Sequence, residues 1–393
     1  MSKSRRNRVC KQEKSVYQTR RFSQVAESFG WSIGGYALAF NIGGAKGIVY
    51  LAICMIFAAA VSSGVLYHFR VILHPSIIKW SLFCRGVSFT IMLIGGVYED
   101  ILLIAFGGFM SGLFVGTFWP TYYRIQSLCG LNFSTWNLRD KLAGAAIVAL
   151  SGLVIDMLGH IHVLALSLIA ISGSFLFSCK LNGGGECDGG REYRSVRGDV
   201  IAISSRPSLI AMAEGAFNWT TNLTLLLVIL TGSVIWGEAS SSMSLGLLLS
   251  TTTSIGAIIS WWLGTFPSWE VDKSSQLVTG GLGLSLLACI LLSNENWWIS
   301  GMIILSVGSS IIFPVLKDYV DSQFELNGFS GRGLREYSRN IGRSIGTLIT
   351  AGIWYHAPVL HLLTIPIMGC IIIIGVLYLE STKSPIIMYR YHQ

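Results

Sequence analysis

Leu334-Arg335-Glu336-Tyr337-Ser338-Arg339-Asn340-Ile341-Gly342-Arg343-Ser344-Ile345-Gly346 sets three arginines and a glutamate into nine residues of a chain that is otherwise mostly apolar. Arg335, Arg339 and Arg343 recur at i, i+4 and i+8, which on a helix lines them along one stripe, with Glu336 in reach of Arg339 and Arg343. The helix then enters an apolar run through Gly342-x-x-x-Gly346, the small-residue spacing that lets two helix backbones approach closely. A weaker copy lies about 196 residues earlier, where Arg139-Asp140-Lys141 opens another apolar stretch. A charged hinge at the mouth of an apolar helix, repeated once, predicts a two-lobed chain.

Composition places the lobes in a membrane. The 393 residues are 52% hydrophobic and 12% charged, where a soluble chain carries about 25% charged residues. The net charge of +8 reads as the mark of a cytoplasmic membrane face, not of a nucleic-acid partner. Eight cysteines are scattered with no C-x-x-C and no metal-ligand spacing, and most fall in apolar stretches as reduced, small apolar residues. Eight basic residues precede Phe22, and the apolar run after them is too long for a signal peptide, so it reads as an uncleaved first helix.

Apolar runs of spanning length fall at 22–44, 47–67, 80–98, 101–122, 142–158, 161–180, 207–235, 243–266, 277–293, 297–316, 338–355 and 358–379. The expected fold is therefore all-α and integral to the membrane: twelve transmembrane helices in two pseudo-symmetric six-helix bundles, 22–180 and 207–380. A basic tail (1–21), a glycine-rich cytoplasmic linker (181–206) and a short tail (381–393) complete the chain. With both termini in the cytoplasm, 27 of the 28 lysines and arginines lie on the cytoplasmic side, Lys46 being the exception. The sequons at Asn132, Asn218 and Asn222 then lie in a cytoplasmic loop or inside a helix, and are not glycan acceptors.

The halves match in order. Ala26-Glu27 with Phe29 and Trp31 corresponds to Ala213-Glu214 with Phe217 and Trp219. Ser62-Ser63 matches Thr252-Thr253, Phe118-Trp119-Pro120 matches Ile312-Phe313-Pro314, and His160 matches His356. The offset drifts from 187 to 196 residues along the chain, as a duplication with small insertions gives.

With twelve spans, a 6+6 repeat, cytoplasmic termini and a central linker, residues 22–380 resemble the major facilitator superfamily. The R-E-x-x-R-x-x-G-R hinge before span 11 is similar to one in poorly characterised bacterial members. The loop Phe69–Pro75 lacks the usual G-x-x-x-D-R-x-G-R-R signature, and span 5 lacks the glycine-proline antiporter motif, which argues against drug/proton antiport. The resemblance implies a secondary active transporter of a small solute, in the inner (plasma) membrane of a bacterium, with a central cavity lined by the first and fourth helices of each half.

The candidate substrate- or proton-binding residues are Glu27 and Asn41 on span 1 and Glu214, Asn218, Thr221 and Asn222 on span 7. The span 7 set falls on one helical face, and span 1 carries a matching stripe of Glu27, Trp31, Gly34 and Asn41. A carboxylate inside a span is costly and often marks an ion pathway. The blander alternative is structural pairing with a nearby arginine. Arg85 reads as a side chain snorkelling to the headgroups, with burial against Glu27 as the sharper alternative. Arg139, Asp140, Arg335, Glu336, Arg339 and Arg343 are expected to form inter-helix ion pairs that gate the cytoplasmic side; an anion site is the second reading.

His160, His162, His356 and His361, with Asp156, sit on outer hairpins and more often mark a membrane interface than a metal site. No catalytic motif and no phosphate loop occurs. The expected protein is a non-enzyme with no cofactor and no resident metal, a monomer in the bilayer that takes a small-molecule substrate and no nucleic acid. The rival readings are a non-transporting receptor or lipid-handling protein on the same scaffold, and an intramembrane enzyme. An enzyme would need a clustered nucleophile or metal set, which the sequence lacks.

Overall fold

The computed structural model describes residues 3–68, 75–128, 134–181, 206–235, 242–265, 271–294, 296–326, 330–356 and 369. All the long elements among them are helices: α1 (Lys3–Phe29), a π-helical turn (Gly30–Gly35), α2 (Tyr36–His68), α3 (Pro75–Tyr98), α4 (Ile101–Leu128), α5 (Ser134–Leu158) and α6 (His160–Ser178). After the linker come α7 (Arg206–Ile235), α8 (Ser242–Thr265), α9 (Val271–Leu292), α10 (Trp298–Leu326) and α11 (Ser330–His356). Seven helical stretches among the described residues are long and apolar enough to cross a membrane, and Gln276–Leu292 is a shorter apolar helix. The expected span at 358–379 lies outside the described residues, as does the linker.

The short connections fall where turn chemistry puts them. Gly44 adopts φ +58° and breaks α2 just ahead of the apolar stretch Lys46–Leu66; a residue without a Cβ enters this left-handed region without strain. Asp100 caps α4, its side chain accepting the Leu102 N–H at 2.8 Å. Gly159, at φ +89°, separates α5 from α6, and Asn294 accepts the Asn296 N–H at 2.9 Å before α10. Pro120 and Pro314 do not end their helices. Both lie inside, and α4 and α10 continue to Leu128 and Leu326.

The chain divides into two compact units. The first comprises Met1–Ser195 and Leu227–Ser254, the second Val196–Leu226 and Ile255–Gln393. In the first unit α1 is helical and packed well before Phe22, with Val16 and Thr19 fully buried. Ser174 of α6 donates to the Thr19 carbonyl at 2.7 Å, and Phe22 stacks on Phe177 at 5.4 Å. Asp156 near the end of α5 accepts the Ser242 and Met243 N–H groups at 2.9 and 2.8 Å, capping α8. In the second unit a Cβ on Gly342 would fall on the Met212 carbonyl, and one on Gly346 would lie 2.9 Å from the Ala216 carbonyl. The Gly342-x-x-x-Gly346 spacing thus seats α11 directly on the backbone of α7.

Candidate functional site

The hinge arginines and Glu214, assigned by sequence to different tasks, form one cluster in the second unit. Close packing of α7 on α11 carries the Glu214 carboxylate to 3.0 Å from Arg339 Nη2, with the glutamate side chain 1% exposed. The other arm of the same guanidinium, Nη1, donates to Glu336 Oε1 at 3.2 Å. Arg339 therefore bridges an acid on α7 and an acid on its own helix, a use of the planar fork that lysine cannot copy. Arg335 lies 4.0 Å from Glu336, and Arg343 donates to Asn340 Oδ1 at 2.9 Å. The i, i+4, i+8 stripe is real, but its members have different partners.

Burial alone would push the Glu336 carboxyl up. Arg339, Arg335 and Arg343, together with the hydrogen bond from Arg339, outweigh it and hold the group at about 2. A carboxyl held below its ordinary 4.5 stabilises the fold fully above that value, and the contribution is lost as the pH falls from there through about 2. Thermal unfolding of the wild type and Glu336→Gln should thus differ by a constant margin near neutrality, and the margin should shrink below about pH 4.5.

Along α7 the predicted stripe separates. Asn222 is exposed and donates from Nδ2 to Oδ1 of half-buried Asn218 at 2.8 Å. Thr221 is buried, and among the described residues its hydroxyl has no hydrogen-bond partner, nor have those of Thr220 and Thr224. An unmatched buried hydroxyl costs about 1–3 kcal/mol, so this segment of α7 carries buried polar groups that the described residues do not match.

In the first unit Glu27 meets Arg85 at 3.6 Å. The snorkelling expected of Arg85 does not occur: the side chain is 1% exposed, with its guanidinium 4.9, 4.8 and 4.9 Å from the ring centroids of Trp31, Phe89 and Phe114. It also donates to Ser111. Three aromatic faces and an acid replace the headgroup contacts that a snorkelling stem would seek. Glu27 keeps a quarter of its side-chain surface open. The Glu27, Trp31, Gly34, Asn41 stripe assumed an unbroken 3.6-residue period. The π-helical Gly30–Gly35 interrupts it, and Asn41 emerges exposed beyond that turn.

Arg139 is exposed, while its neighbour Asp140 is buried and pairs with Arg20 of α1 at 3.4 Å. The Asp140 carbonyl accepts from Gln24 Nε2 at 3.1 Å. Sequence reasoning missed Arg20 because it is one of eight basic residues before Phe22, and a charge run carries no register. Each unit therefore holds an acid–arginine pair between two of its helices, with the polarity reversed: Arg20 on α1 with Asp140 on α5, Glu214 on α7 with Arg339 on α11. Among the described residues no group of three or more His, Cys, Asp or Glu side chains is placed to hold a metal ion. His361 lies outside them.

Solved structures of similar fold exist. A bacterial homologue of the iron transporter ferroportin, in its outward-facing state, superposes with a TM-score of 0.69 at 12% identity, over 94% of this chain and 99% of that one. The nucleoside transporter NupG gives 0.56 at 13% identity, over 94% and 100%. FucP, a major facilitator superfamily transporter in the outward conformation, gives 0.55 at 11%, over 93% and 97%. No protein-family model and no curated protein matches the chain. At these identities the likeness speaks to architecture alone: the chain has an all-α integral membrane fold similar to that of FucP and the other two transporters, with seven helical stretches among the described residues able to cross a membrane.

Proposed function

We propose that the chain is a secondary transporter that moves a small solute by alternating access of two six-helix halves, 22–180 and 207–380, joined by the linker 181–206. One observation carries the reading. Each half sets a carboxylate at the same station of its first helix, Glu27 and Glu214, and supplies it with an arginine from another helix of that half, Arg85 and Arg339. Ion pairs inside spans are expensive and are kept where charge must move. The fold likeness to a homologue of an iron transporter and to a nucleoside transporter supports the class and leaves the solute open.

Glu27 and Glu214 are the coupling carboxylates in this scheme, and Asn218, Thr221 and Asn222 offer hydrogen bonds to the solute, with Asn41 their counterpart on span 1. Arg139, Asp140, Arg335, Glu336, Arg339 and Arg343 form the gate, together with Arg20. Two pairs, Arg20–Asp140 and Arg339–Glu214, clamp the first helix of each half to the fifth, so that this end of each half moves as one piece. The protein works as a monomer in a bacterial plasma membrane with both termini in the cytoplasm. Cys187 of the linker, outside the described residues, should then resist an impermeant maleimide added to intact cells. Its modification would overturn the topology.

A thermal-shift screen of solutes on the purified protein identifies the substrate class, because a ligand that binds only the folded state raises its midpoint. With that solute, Glu214→Gln should remain folded and lose the pH dependence of transport, while Glu214→Asp keeps part of it. Normal transport with an unchanged pH profile in Glu214→Gln would assign the residue to structure alone.

A further inference from the structure

On the first unit, away from the ion pairs, a groove of about 460 Å³ runs between α3 and α6. On α3 its wall is Leu82, Phe83, Gly86 and Thr90; on α6 it is Ser172, Phe175 and Leu176. Its hydroxyls are spoken for: Thr90 donates to the Gly86 carbonyl at 3.0 Å and Ser172 to the Leu168 carbonyl at 2.8 Å. The surface offered outward is therefore hydrocarbon. Gly86 makes the notch, since a Cβ there would meet only Ile171, at 3.9 Å.

Both walls finish in a lysine at the same end. Lys79 precedes Leu82 and Phe83 by three and four residues and so continues the α3 face. Lys180 follows Ser172 and Leu176 at the same helical spacing, in the turn closed by its N–H to the Phe177 carbonyl at 3.1 Å. Its ammonium rests 5.2 Å from the Phe177 ring centroid, an exposed contact that a phosphate can displace. The first turn of α3 opens at this end with the positive end of its dipole. Trp80, 68% exposed, sits at the same level, where indole rings mark the membrane–water interface.

We infer that this groove is a binding site for an anionic phospholipid, one acyl chain lying along α3 and α6 and the phosphate held by Lys79 and Lys180. The site does not depend on the transport reading, since a receptor on the same scaffold would carry it equally.

The test uses the purified full chain in detergent, offered phosphatidylglycerol or phosphatidylethanolamine, with retention read by native mass spectrometry and the unfolding midpoint read beside it. Phosphatidylglycerol should be retained roughly tenfold or more in preference, as two basic residues at headgroup level predict, and should raise the midpoint further. Lys79→Ala/Lys180→Ala should abolish the preference without changing the lipid-free midpoint. Gly86→Leu, which fills the notch, should abolish retention of both lipids, and Gly86→Ala should keep it. Inorganic phosphate should not reproduce the shift. Equal retention of the two lipids by the wild type, or an undiminished preference in the double lysine variant, means annular lipid only and overturns the site. Should Gly86→Leu fail to fold, the lysine variant decides.

Discussion

Arg339→Ala is expected to lower the unfolding midpoint more than any other single change among the charged residues. Removing this guanidinium takes from the Glu214 carboxylate, 1% exposed, its 3.0 Å ion-pair partner among the described residues, and from Glu336 its closest cation. Breaking a buried pair from one side costs about 3–5 kcal/mol, because the remaining charge stays buried. The cost should be largely a penalty on the orphaned acid. Arg339→Ala/Glu214→Gln should therefore be less impaired than Arg339→Ala alone, and a double-mutant cycle measures the difference. Arg339→Lys should recover only part, since one ammonium cannot reach two carboxylates in the fork geometry. Strict additivity would mean that the two residues act separately.

The second large effect is steric. Gly342→Val places a branched side chain where the Met212 carbonyl stands, and backbone, not a flexible side chain, has to yield. The cost should exceed the roughly 1–3 kcal/mol of ordinary overpacking, because driving α11 off α7 also pulls Arg339 from Glu214. Size-exclusion chromatography of the detergent extract should show little monodisperse Gly342→Val and a reduced peak for Gly342→Ala. Gly283→Ala on α9, where an added Cβ meets nothing within 4 Å, should elute as the wild type does.

Much of this was legible in the chain because local patterns were strong. The hinge spacing announced a helix whose glycines demand a close neighbour, and α7 supplies it. The short turns fell at Gly44, Asp100, Gly159 and Asn294, residues whose backbone freedom or capping groups suit a reversal. What escaped was partnership at a distance. The stem of Arg85 is equally long whether it reaches for headgroups or lies buried; only Trp31, Phe89 and Phe114, converging from three parts of the chain, decide the matter. Arg20 was hidden among like charges, and its bond to Asp140 is a fact of packing. The π-helical turn moved Asn41 out of phase with Glu27 because periodicity arguments assume a regular helix, and the cluster of Gly30, Gly34 and Gly35 was the available signal. Asp156, read beside the histidines, spends both oxygens on the start of α8.

Alternating access can be tested without knowing the solute. In a cysteine-free background, Asn218→Cys sits half-buried on the polar face of α7, one turn from Glu214. The account predicts that a membrane-impermeant maleimide reaches this position from the outside in right-side-out vesicles and from the cytoplasmic side in inverted ones. Stabilising one state should suppress one of the two reactions and enhance the other. Labelling from a single side under every condition, or from neither, would contradict a site that opens in turn to the two faces of the membrane.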